Sequence, residues 1–122
     1  MSQDIYPYER AKQALAVHDF ALALCLAQPY ADKGDPAAQC DLGFLYQMGL
    51  VNGIQDFCQA LNWYTRAAAQ GHAIAWSNMG TIYSTGSSGT PIDLAKALSC
   101  YEKAHELGFS AMPLEELRSR LG

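Results

Sequence analysis

The sequence predicts an all-α repeat protein built from stacked antiparallel helix pairs. Three observations carry this reading: an internal repeat of 37 residues, alanine at 19 of 122 positions, and apolar residues that recur at helical spacing. Sliding the chain by 37 residues aligns 34–70 with 71–107 without a gap and leaves ten positions identical, among them Gly43/Gly80, Tyr46/Tyr83, Asp56/Asp93, Ala60/Ala97 and Tyr64/Tyr101. At this length one domain, 1–122, is expected, with enough apolar residues to bury a core without a metal or disulfide staple.

The first unit, 1–33, reads as an irregular helix pair. Asp19, Ala23, Leu24, Ala31 and Gly34 stand 37 residues before Asp56, Ala60, Leu61, Ala68 and Gly71, so its second helix keeps the phase. Before Asp19 the phase is lost, which predicts a shorter turn or an irregular first helix.

The repeats 34–70 and 71–107 each read as two helices. Apolar positions 38, 42, 45 and 46, then 57, 60, 61, 64 and 67, follow a period of 3.6. Asp56 and Asp93 stand where a carboxylate can accept a free amide at the start of each second helix. Gly49 and Gly86 are placed to end the first helices, Gly71 and Gly108 the second. Gly43 and Gly80 fall inside helices, at a cost of about 1 kcal/mol against alanine. Close approach of a neighbouring helix is the expected compensation.

The last segment, 110–121, reads as a capping helix. Pro113 suits a first turn, Glu115 and Glu116 follow it, Arg118 and Arg120 come last, and Leu114, Leu117 and Leu121 form one stripe. A solenoid needs such a lid, because a terminal repeat exposes the face its missing neighbour would cover.

Charge and composition exclude several classes of partner. Eight basic against twelve acidic residues give a net charge of −4, which offers no electrostatic footprint for nucleic acid or an anionic membrane. Residues 1–10 lack the basic start and apolar run of a secretion signal, and the longest apolar run, 20–27, is far below the ~20 residues that cross a bilayer. Cys25, Cys40, Cys58 and Cys100 are widely spaced within apolar helical runs, so they are expected to be reduced, buried thiols of a cytoplasmic protein.

The chain carries no phosphate-binding glycine loop, no HExxH, no Cys-x-x-Cys and no nucleophile elbow. His72 and His105 could approach across one helix pair, but no further ligand completes a tetrahedral site. His18, beside Asp19, is expected to be a solvated turn residue. No catalytic residue, metal or cofactor is therefore expected.

Ala38, Leu42, Gly43, Tyr46, Gly49, Asp56, Ala60, Trp63, Tyr64, Ala67, Ala68 and Gly71 together resemble the Sel-1-like repeat, a relative of the tetratricopeptide repeat. The second copy keeps Ala75, Gly80, Tyr83, Gly86, Asp93, Lys96, Ala97, Tyr101, Lys103, Ala104 and Gly108, with Cys100 in place of the tryptophan. The resemblance implies a right-handed α/α superhelix of about three antiparallel pairs and non-catalytic work as an adaptor or scaffold. Disulfide-rich members of such families pair cysteines at neighbouring helix ends. This chain departs from that pattern: Ala68 and Ala69 stand where the partner of Cys40 would be, and Cys58 falls at the far end of the antiparallel pair, too far for a bridge at ~1.5 Å rise per residue.

Between Leu42 and Ile92 the only charged residues are Asp56 and Arg66. Such a stretch is cheap to dehydrate, and protein interfaces are depleted in Lys, Glu and Asp. In the related tetratricopeptide architecture the first helices line the concave side. That places Tyr8, Lys12, Cys40, Phe44, Gln47, Met48, Ser77, Thr81 and Ser84 in a partner groove, with Thr85 beside them and Phe44 foremost, while Gln39 and Trp76 turn toward the packing side. A groove of this composition is uncharged and suits a peptide segment of a partner protein better than a phosphate or a terminal carboxylate. The alternatives are a self-associating structural unit, and an immunity or chaperone-type protein for a secreted effector.

Overall fold

The computed structural model describes residues 8–86, 89–109 and 118–120. Six helices follow one another: α1 Glu9–Ala16, α2 Phe20–Asp32, α3 Pro36–Gln47, α4 Phe57–Ala68, α5 Ala73–Thr85 and α6 Leu94–Glu106. Each helix packs on the next, so the chain advances as three antiparallel hairpins, α1/α2, α3/α4 and α5/α6. The expected capping helix, 110–121, lies largely outside the described residues; 118–120 are helical, and Arg118 pairs with Glu102 of α6 at 3.1 Å.

Helix starts follow the acids. Asp19, Asp56 and Asp93 each accept the amide three residues on, at 3.2, 3.0 and 3.0 Å. Asp35 does the same for Ala37 and Ala38, ahead of Pro36, whose missing N–H costs nothing in a first turn. Stops follow the glycines: Gly71 (φ 84°) and Gly86 (φ 69°) occupy the left-handed region, where a side chain is strained. Gly49 and Gly108 do likewise.

The lost phase at the N-terminus has a simple cause. Only Val17, His18 and Asp19 connect α1 to α2, whereas nine residues, 48–56, connect α3 to α4, and α1 itself is one turn shorter than α3. The turn is tight enough to hold His18 at φ 63°, exposed, with its ring stacked on Phe20 at 5.5 Å. In the complete repeats the longer loop is closed instead by a shared bond: Asp56 N–H donates to the Tyr46 carbonyl at 2.9 Å, and Asp93 N–H to that of Tyr83 at 2.8 Å.

Two clusters form most of the core. Ala27, Ala31, Ala38, Leu42, Leu45 and Trp63 meet between the first and second hairpins. Cys40, Ala60, Tyr64, Ala67, Ala75, Met79, Ile82 and Cys100 meet between the second and third. Trp63 and Cys100 occupy the same repeat position, so each second helix sends one side chain back into the preceding repeat. Amides seal the first junction: the Gln39 side chain donates to the Ala31 carbonyl at 3.1 Å, and that of Gln70 to the Gly34 carbonyl at 2.8 Å.

The expectation for the cysteines needs correction. Cys40 and Cys100 are buried, but Cys25 and Cys58 are exposed; all four are free thiols. Cys25 sits on the outward side of α2, where neighbouring alanines and leucines hide the polarity signal that would mark a surface, and Cys58 lies in the first turn of α4. None of the described helices is long and apolar enough to cross a membrane.

Candidate functional site

The face lined by the first helices α1, α3 and α5 is built around a stripe on α3. Leu42 and Leu45 are fully buried toward the core, which turns Asp41, Phe44 and Met48, spaced by three and four residues, to the other side. Phe44 is 41% and Met48 49% exposed, large values for side chains of that size next to a fully buried leucine pair. The equivalent stripe on α5 is Asn78, Thr81 and Thr85.

Asp41 marks the centre of this face because it senses all three first helices. The Tyr8 hydroxyl, from the start of α1, donates a hydrogen bond to its carboxylate. The charges of Lys12 on α1 and of His72 at the head of α5 draw it toward ionisation, while Asp35 opposes. Burial is the largest influence and raises its pKa, outweighing the Tyr8 hydrogen bond and the two cations, which lower it. Next to it, burial pushes the Cys40 thiol up to about 12, with the Asp41 charge adding to the shift.

The floor below is tied together by tyrosines that rise from the second helices. Tyr64 Oη donates to Gln47 Oε1 at 2.7 Å, and Tyr101 Oη and Thr81 Oγ1 share a bond at 2.9 Å. Asn78 Nδ2 reaches Cys40 Sγ at 3.9 Å, joining α5 to α3. Each tyrosine ring passes under a glycine of the first helix: Gly43 over Tyr64 and Gly80 over Tyr101.

The sequence-derived groove residues divide into three groups. Phe44 and Met48 are exposed on the first-helix face, and Lys12 is exposed on α1. Gln47, Thr81 and Ser84 are half-buried and already bonded within the fold, the Ser84 hydroxyl to the Thr81 carbonyl at 3.0 Å. Cys40, Ser77 and Tyr8 are corrected: at 5%, 9% and 9% exposure they are buried, not groove-lining. Cys40 turns into the cluster shared with α4 and α5, Ser77 repeats its register one unit on, and the Tyr8 ring packs edge-on against Tyr30 at 5.4 Å.

Sequence reasoning missed Asp41, and with it the charge of a face expected to be neutral. The signal was present in the register: one helical turn before Phe44 and two before Met48 stands Asp41. Gln39 is buried and Trp76 half-buried against the core, on the packing side as expected. His72 heads α5 without a side-chain capping bond, and His105 is exposed on the last turn of α6. Among the described residues no three His, Cys, Asp or Glu side chains gather as metal ligands.

Stacked helical hairpins in a fixed register, with tyrosine under glycine in the second and third, define an α/α solenoid. The Sel1 repeat profile matches residues 36–72 and 74–109, and the chain belongs to the Sel1 repeat family. Solved structures agree. The crystal structure of c5321, a protective antigen present in uropathogenic Escherichia coli strains displaying an SLR fold, is similar with a TM-score of 0.76 and 29% identity, over 82% of this chain and 22% of that one. A Sel1 repeat protein from Oxalobacter formigenes is similar with a TM-score of 0.69 and 27% identity, over 91% of this chain and 48% of that one. This chain thus spans less than half the length of either. No curated protein sequence matches it.

Proposed function

We propose that this chain is a non-catalytic, cytoplasmic adaptor module that takes a peptide segment of a partner protein on its concave, first-helix face. The observation that carries the reading is Phe44, an aromatic ring left 41% exposed beside exposed Met48, on a helix whose other large apolar side chains are buried or half-buried. Exposed aromatic and methionine side chains are enriched at interface centres. Membership of a repeat family that works generally through protein contacts supports it.

A photo-crosslinking amino acid at position 44 tests the reading in the native host, with one at Asn62 on the exposed side of α4 as control. A discrete protein crosslinked from position 44 and not from 62 is expected. Labelling that is equal at both positions, or seen only from 62, contradicts it.

Self-association is the second reading, favoured by the apolar outer side of the first hairpin. Val17 is 75% and Leu22 43% exposed there, where α4 carries Gln59 in the position of Leu22. Sedimentation velocity over a concentration series decides it: a constant monomer value removes this reading.

A further inference from the structure

From the first-helix face we infer that the partner segment carries an arginine or lysine close to an apolar side chain, the cation seating on Asp41 and the apolar group on Phe44 and Met48. This rests on the adaptor reading above and narrows it to one class of ligand. Three observations support it.

Asp41 is half-buried yet no described cation closes an ion pair on it, and among the described residues the hydrogen bond it accepts comes from the neutral Tyr8 hydroxyl. The charges of Lys12, which is exposed, and of His72 act on Asp41 without closing an ion pair among the described residues. A carboxylate so placed has given up much of its hydration without gaining a cation in direct contact, and an incoming cation supplies one. Secondly, Asp41 is the carboxylate left to a ligand: from Leu42 to Gln55 nothing is charged, on α5 its equivalent is the neutral Asn78, and its neighbour Asp35 already accepts the Ala37 and Ala38 amides as the cap of α3. Thirdly, the spacing is fixed by the helix: Phe44 and the C-cap residue Met48 lie about 4.5 and about 10.5 Å along the axis from Asp41. A cation within a helical turn of an aliphatic or aromatic residue, or two residues from it in an extended segment, spans the first distance. The exposed Phe44 ring can also take the face of a guanidinium, which favours arginine over lysine.

Panning a displayed random peptide library on the wild-type chain tests this, with synthetic copies of the selected peptides titrated at low and high salt. The selected sequences should share an arginine or lysine beside an apolar residue. Replacing that arginine by glutamine in the peptide should weaken binding to wild type about tenfold or more, and so should Asp41→Asn in the protein. Combining the two changes should cost little beyond either alone, since both remove the same contact. The peptide-side change needs no protein variant and stands even where Asp41→Asn alters folding. Acidic or cation-free selections, no selected binder, or unchanged affinity on removing the peptide cation would each overturn the inference. Peptides that lose affinity on Phe44→Ala but ignore Asp41→Asn would leave the adaptor reading intact and remove the cation; peptides indifferent to Phe44→Ala would remove the adaptor reading.

Discussion

The ring of Tyr64 lies so close against Gly43 that a methyl group on the glycine would stand 2.6 Å from two of its carbons. The same pair recurs one repeat on, where a methyl group on Gly80 would stand 2.9 Å from the ring of Tyr101. In both repeats the tyrosine then passes its hydroxyl up to a residue of the first helix, Gln47 or Thr81. One glycine thus sets both the helix crossing and the floor of the face above it. The contact is with a ring held in a packed core, so it cannot relax as the end of a flexible side chain would.

Gly43→Ala and Gly80→Ala should therefore destabilise the fold by roughly 1 to 3 kcal/mol each, with Gly43→Ala the worse because its gap is smaller. Helix propensity alone forecasts a gain of about 1 kcal/mol. Thermal or urea unfolding of the two variants distinguishes the forecasts by sign.

Thiol reactivity should split two and two. Cys25 and Cys58 are exposed and should react with a thiol reagent in the native protein. Burial pushes Cys40 to about 12 and Cys100 to about 11, so both stay as thiols and should react only on unfolding. Unfolding curves with and without reductant should coincide. Four thiols reacting at one rate would contradict the burial pattern.

Asp41→Asn should raise the melting temperature near neutral pH. Burial raises the folded pKa of Asp41, so the folded state holds its proton more tightly than the unfolded one. The ionised carboxylate costs stability above the folded value, and that cost fades as the pH falls toward the unfolded value of about 3.9. The advantage of the asparagine variant should therefore shrink on acidification, while its amide oxygen can still accept the Tyr8 hydroxyl. A melting temperature that falls on Asp41→Asn at neutral pH would show that the carboxylate stabilises the face instead.

Asp56→Ala and Asp93→Ala should each cost about 0.5 to 2 kcal/mol, the usual worth of an N-cap, measurable by urea unfolding. No change would mean that water replaces the carboxylate.

The parts of the fold written in short-range chemistry were legible in the sequence. Asp56 and Asp93 cap, Gly71 and Gly86 stop, and Gly43 and Gly80 permit a crossing, because each role depends on one residue type at one repeat position. Orientation of the first helices was harder to read. On α3 apolar or small residues occur all round, since it packs on α2 and α4 at once, and no broad polar stripe marks its outward side. The sequence reading therefore places Phe44 and Met48 correctly on the exposed side but puts Cys40 in the groove and leaves out Asp41. Helix α4, with Gln59, Asn62 and Arg66 on one exposed side, shows its outer face plainly. Arg66 even folds back over the Trp63 ring at 4.7 Å, covering part of that side chain with its own charge.

Phe44→Ala, measured in parallel for unfolding and for affinity toward the protein crosslinked at position 44, tests the central claim most directly. An interface residue predicts stability within about 0.5 kcal/mol of wild type together with binding weaker by about 2 kcal/mol or more. Stability lower by roughly 3 to 5 kcal/mol would assign the ring to the core, and unchanged affinity would move the interface away from the first-helix face.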